Sequence, residues 1–129
     1  MHAVVDTNIL VSALLRPEGH PARVMAAVMR GELVPVFSAS CFAEYEQVLR
    51  RPRLRLEAAK VDAALAALRA VGVEVPDAPL PPADLPDPDD WPFIASALAA
   101  GCPVITGNAR DFPGALGVRV MSAREWVEG

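Results

Sequence analysis

Carboxylates at several points of this chain stand where a folded protein can bring them together. Asp6 ends the short apolar run Ala3-Val4-Val5 and is followed by Thr7 and Asn8, which open a segment with helical spacing in Ile9, Leu10, Ala13 and Leu14. An acid at such a strand-to-helix junction either caps the helix or projects beyond the carboxyl end of the strand, where α/β sheets gather ligands. Asp90 precedes Phe93, Ile94 and Ala97, and a step of about 100° per residue places it on their apolar stripe. A carboxylate facing inward must cap the helix, pair with a cation or bind metal, because burying an unpaired charge is costly. Asp87 and Asp89, just upstream, read as capping or solvated loop residues. Glu44 and Glu46 flank the stripe of Cys41, Phe42, Tyr45, Val48 and Leu49 from opposite sides, so periodicity does not choose between them. The polar turn Thr106-Gly107-Asn108-Ala109-Arg110-Asp111-Phe112 adds Asn108 and Asp111, for which ordinary turn chemistry is the alternative.

Acids converging on one crevice repel each other unless divalent cations are bound. Oxygen donors without a His or Cys cluster point to a hard ion, Mg²⁺ or Mn²⁺, rather than Zn²⁺; His2 and His20 are isolated. Phosphoaspartate chemistry of the haloacid-dehalogenase-like kind also starts from an Asp after the first strand. It uses a second acid two residues later, where this chain has Asn8.

The elements that must position these residues alternate. Strands are predicted at Ala3 to Val5, Leu33 to Phe37, Val73 to Val75, Pro103 to Thr106 and Val118 to Val120, with helices between them. The helices cover Asn8 to Leu15, His20 to Met29, Ser38 or Ser40 to about Arg51, Leu56 to Val71 and Asp90 to Ala100. Ser122 and Glu125 form a capping box for a final helix. Residues Pro76 to Pro88 hold six of the thirteen prolines and are a loop. Strands alternating with helices imply right-handed crossovers and an α/β fold of three layers, a mainly parallel sheet between helices. At 129 residues and 53% hydrophobic composition, one domain spanning residues 1–129 with one core is expected. No stretch has the composition of a signal peptide or a membrane span. Cys41 and Cys102 sit in apolar segments, which suits free thiols in a reducing, cytoplasmic setting. The net charge of −4 means that a polyanionic partner is met by a local basic patch or by bound metal.

The order and context of the acids resemble the PIN-domain family, in particular its VapC-like toxins of bacterial toxin-antitoxin systems, over nearly the whole chain. Val4-Val5-Asp6-Thr7-Asn8-Ile9-Leu10-Val11-Ser12-Ala13-Leu14 is similar to the first family motif, which implies Asp6 as a metal ligand supported by Thr7 and Asn8. Ser38 through Leu49 resembles the serine-led helix whose glutamate six residues on is the second acid, and so implies Glu44. Asp87-Pro88-Asp89-Asp90 with Phe93-Ile94-Ala95-Ser96-Ala97 resembles the third motif and implies Asp90. Val104 to Phe112 is similar to the fourth, with Thr106 in support and a polar residue two positions later completing the cluster. Here that residue is Asn108 in place of the frequent Asp, and Asp111 is the alternative. The resemblance implies a metal-dependent endoribonuclease with Mg²⁺ or Mn²⁺, an RNA substrate, a cognate antitoxin and a homodimer. A PIN-fold RNA- or protein-binding module of weak activity is the rival. Arg50, Arg51 and Arg53, in a basic cluster continued by Arg55, either contact RNA phosphates or compensate a helix C-terminus.

Overall fold

The computed structural model describes residues 1–112 and 116–129, apart from the side chain of Asp111. Strand β1 (His2–Val5) leads into helices α1 (Thr7–Leu15) and α2 (His20–Met29), and β2 (Val34–Phe37) into α3 (Ala39–Leu49) and α4 (Ala58–Val71). Then come β3 (Val73–Glu74), α5 (Trp91–Ala100), β4 (Val104–Ile105), β5 (Val120–Met121) and α6 (Ala123–Glu128). The sheet order is β3-β2-β1-β4-β5 and every pairing is parallel. The chain thus builds outward from β1 in one direction, then returns to its other side with β4. The crevice where the order reverses lies between the carboxyl ends of β1 and β4.

Successive strand residues point to opposite faces of a sheet. Ala3, Val4 and Val5 are nevertheless all fully buried, so both faces of β1 are covered by helices. The resulting core is aliphatic, with one aromatic run, Phe37, Phe42, Tyr45 and Phe93, whose neighbouring ring centroids lie 5.4–6.1 Å apart. This is the layered α/β arrangement that the alternation predicts.

Element ends differ from the sequence reading where backbone groups are taken elsewhere. Leu33 is outside β2 because its amide, with that of Glu32, closes the end of α2 on the Ala27 carbonyl. The last strand is Val120–Met121 rather than Val118–Val120, since Val104 and Ile105 take Val120 and Met121 as register partners. Asp90 ends a 3-10 turn, Pro88–Asp90, and α5 proper starts one residue later. Ser38, not Ser40, caps α3 by accepting from the Cys41 amide; the Ser40 amide goes to Asp77 at 3.1 Å. The capping box on α6 is present as expected.

Gly72 is needed for a packing reason that its position in the sequence does not reveal. A Cβ there would stand 2.4 Å from the Leu68 carbonyl oxygen, 2.6 Å from Phe37 Cε1 and 2.7 Å from the Pro35 carbonyl oxygen. Its φ of −80° is ordinary, so the constraint is the close approach of α4 to β2. Gly72→Ala is expected to destabilise by about 3 kcal/mol, the upper range of overpacking, because two of the three obstacles are backbone. A chemical-denaturation midpoint measures it, and a shift under about 0.5 kcal/mol, the size of a neutral surface change, contradicts it.

Candidate active site

The Asp6 amide donates to the Ile105 carbonyl at 2.9 Å, which places Asp6 at the seam of β1 and β4. Asp6 as a residue is 7% exposed. Oδ1 accepts from the Thr7 amide at 2.8 Å and Oδ2 from the Thr106 hydroxyl at 2.7 Å. Capping therefore accounts for one oxygen, and the other ties β1 to the end of β4. Thr106 Oγ1 in turn accepts from the Asn108 amide at 3.0 Å, and Asn8 Oδ1 accepts from the Gly107 amide at 3.1 Å. Asp6 and Asn8 on one side and Thr106 and Gly107 on the other thus clamp the first loop to the fourth. Beneath them the buried Tyr45 hydroxyl donates to the Val5 carbonyl, fixing α3 under the residue before Asp6.

That anchor sets the rotation of α3. Glu44, one residue before Tyr45, reaches the same place from the other side, and the Thr7 hydroxyl donates to its Oε2. Glu46 is exposed and does not line the cleft. Burial raises the Glu44 carboxyl above the usual range; the Thr7 hydroxyl opposes this, and the charges of Asp6, Asp89 and Asp87 add to it. Cys41 lies deeper on the same helix, and burial first of all pushes its thiol up, which makes it a poor nucleophile.

Asp90 stands at the start of α5, yet its side chain makes no capping bond to that helix. Its Oδ2 is sealed from solvent. The local cap is made by Asp87, whose Oδ1 accepts from the Asp89 amide at 3.0 Å. The Pro-rich loop brings these acids in. It is pinned by Asp77 on Ser40, by the Trp91 indole donating to the Pro79 carbonyl at 2.7 Å, and by the buried Leu85. The Ser40 amide and hydroxyl, then the Ser38 hydroxyl, hold the Asp77 carboxyl below its ordinary range. Sequence reasoning overlooked Asp77, an acid in a proline-rich loop with no periodic pattern around it.

Together these elements enclose a cleft of about 420 Å³ whose lining includes five carboxylates, Asp6, Glu44, Asp87, Asp89 and Asp90, and the amide of Asn108. Asp87 and Asp89 are therefore more than solvated loop residues. Asp111 belongs to the 3-10 turn Ala109–Asp111, but its side chain lies outside the described residues. Of the arginines, Arg50 is paired with Asp62 at 2.6 Å, Arg51 lines a groove beside the cleft, and Arg53 lines neither among the described residues.

Every side chain of the cleft that can bind a cation offers oxygen, and no His or Cys lines it among the described residues. This donor set fits a hard divalent ion. Among the described residues, no three His, Cys, Asp or Glu side chains form a ready-made metal cage. Asp6 and Glu44 are instead held by hydroxyl donors.

Comparison with known proteins agrees with this geometry at the level of the family. A family model for the PIN domain matches residues 2–110. No curated protein and no solved structure matches the chain. Among the described residues no helix is long and apolar enough to cross a membrane. PIN domains are generally nucleases and typically use divalent metal ions, in keeping with an oxygen-lined cleft at the sheet's switch point. The match runs from the first strand through the Thr106 turn, over most of the 129 residues, and the chain belongs to the PIN-domain family.

Proposed function

We propose that this protein is a metal-dependent endoribonuclease and the toxin of a toxin-antitoxin pair. The observation that carries the nuclease reading is the cleft, which five carboxylates from three separate parts of the chain line together. Like charges gathered along one cleft repel each other, and a bound divalent cation would relieve that repulsion. Asp6, Glu44 and Asp90 are the residues that would hold Mg²⁺ or Mn²⁺. A bound divalent ion supplies a water of lowered pKa and neutralises charge building on the phosphate. Thr7 and Thr106 keep Glu44 and Asp6 in place, each hydroxyl donating to one carboxylate oxygen. Asn108, or Asp111 three residues on, would orient water or a second ion. The toxin role, a cognate antitoxin covering the acidic cleft and a homodimer rest on the resemblance to VapC-like toxins.

A second reading, a PIN-fold RNA- or protein-binding module of weak activity, has two observations in its favour. Asn108 occupies the position of a frequent acid, and no closed metal cage is present among the described residues. The two readings separate in one experiment: a mixed pool of structured RNAs is incubated with the purified protein and Mg²⁺ or Mn²⁺. The nuclease reading expects internal cuts that stop on chelation by EDTA and resume with excess metal. Absence of cutting with both ions favours the binding module.

A further inference from the structure

A second hollow of about 480 Å³ adjoins the acidic cleft, and Glu44, Val48 and Asp89 line both. Glu44 and Asp89 therefore mark the seam between them. On the far side of the seam the groove is lined by Gln47 and Arg51, both exposed. Arg51 is the sole cationic side chain lining either hollow among the described residues. It has no carboxylate within ion-pair distance among those residues, unlike its neighbour Arg50, which Asp62 holds.

The backbone fixes where Arg51 stands. Its amide donates to the Val48 carbonyl at 3.1 Å, continuing the last turn of α3, and Pro52 follows. Seven residues separate it from Glu44, about 10 Å along a helical path, a span that a long, flexible guanidinium side chain shortens or lengthens. A polyanionic strand crossing a cleft loaded with carboxylates needs a cationic contact away from them, and a guanidinium binds phosphate oxygens in a fork.

We propose that Arg51, assisted by Gln47, binds the phosphate next to the one being cut, so that the groove is the subsite for a flanking nucleotide of a single RNA strand. The assignment rests on the nuclease reading above and selects one arginine from the cluster of Arg50, Arg51 and Arg53. The enzyme then discriminates by strand length, since a dinucleotide with one phosphodiester cannot fill both hollows with phosphate.

The test compares a dinucleoside monophosphate with a longer single-stranded oligoribonucleotide as substrates for the wild type, Arg51→Ala, Arg51→Lys and Arg50→Ala. Arg51→Ala is expected to lose about tenfold in kcat/KM on the longer strand, mostly in KM, and clearly less on the dinucleotide; Arg51→Lys recovers part of the loss. Arg50→Ala loses clearly less, since Asp62 holds Arg50 and it lines neither hollow among the described residues. Equal losses on both substrates, or an Arg50→Ala effect as large as that of Arg51→Ala, overturn the subsite.

Binding of the labelled strand is measured separately on the Asp90→Asn chain at stepped salt concentrations. Adding Arg51→Ala should reduce the slope of log affinity against log salt by about 0.7, one phosphate contact on a single strand. Should the wild type cut nothing, the nuclease reading fails while a reduced slope still upholds the groove as a strand-binding surface. An unchanged slope, or no measurable binding by the parent chain, overturns it.

Discussion

Asp6→Asn and Asp90→Asn are each expected to reduce metal-dependent RNA cutting on the order of a thousandfold, about 4 kcal/mol of transition-state stabilisation. Both changes keep the size of the side chain and remove a charge. At Asp6 the fold has a ready accommodation: an asparagine oxygen still accepts from the Thr7 amide, and the Thr106 hydroxyl can turn to accept from the new NH₂ group. At Asp90 the asparagine keeps the size of the side chain and one acceptor oxygen, and the cap of α5 is not at stake. Loss of activity should therefore come without loss of fold, and the melting temperature of both variants should stay within a few degrees of wild type. Cutting that survives both substitutions undiminished would sink the assignment and mark the activity as a contaminant. Variants that lose activity only because they unfold would show it in the melt.

Glu44→Gln should separate the charge of the cleft from its shape. The folded-state pKa of Glu44 is raised, with burial as the leading cause and the charges of Asp6, Asp89 and Asp87 adding to it against the pull of Thr7. For an acid raised on folding, the stability it contributes is fully present below its unfolded-state pKa and is lost as pH rises through the folded-state value. Metal-free protein should therefore gain stability on this group's account as pH falls from neutral into the carboxylate range. Gln keeps an oxygen for the Thr7 hydroxyl but has no charge to repel. We expect metal-free Glu44→Gln to melt at or above the wild-type temperature at neutral pH, the gain held small by the solvent that screens this half-buried carboxylate. Mn²⁺ should raise the melting temperature of wild type and do so much less for the variant, since ligand binding stabilises only by binding the folded state. A variant that melts lower at neutral pH, and that Mn²⁺ still stabilises as much as wild type, would remove Glu44 from the metal site. The measurement needs no nuclease activity and remains informative if the RNA target is a narrow one.

The largest part of the architecture was legible because it follows from local periodicity. Apolar runs ending in Asp6 and before Thr106, stripes at helical spacing, and Gly or Pro at their ends dictate the order and type of strands and helices, though not every end. Alternation of the two then leaves few topologies once crossovers are right-handed. Asp6 and Asp90 were legible for the same reason, since each is defined by its place at the head of an element. Their order along the chain, together with the Thr106 turn, also carries the family resemblance.

What local pattern could not decide is how far each helix is rotated and what crosses over to meet it. Glu44 and Glu46 are equivalent on an isolated wheel; the choice falls to the Tyr45 hydroxyl on the Val5 carbonyl and the Thr7 hydroxyl on Glu44, contacts across 40 and 37 residues. Arg50, Arg51 and Arg53 form one cluster in the sequence, and only the packing of α4 against α3 delivers Asp62 to Arg50 and leaves Arg51 facing the groove. Asp77 and Gly72 gain their roles from a loop and a sheet that approach from elsewhere. Sequence by itself thus determined the elements and the acids at their ends, because those depend on neighbours within a turn or two. Tertiary structure decided which side chains share the cleft, because that depends on partners far along the chain.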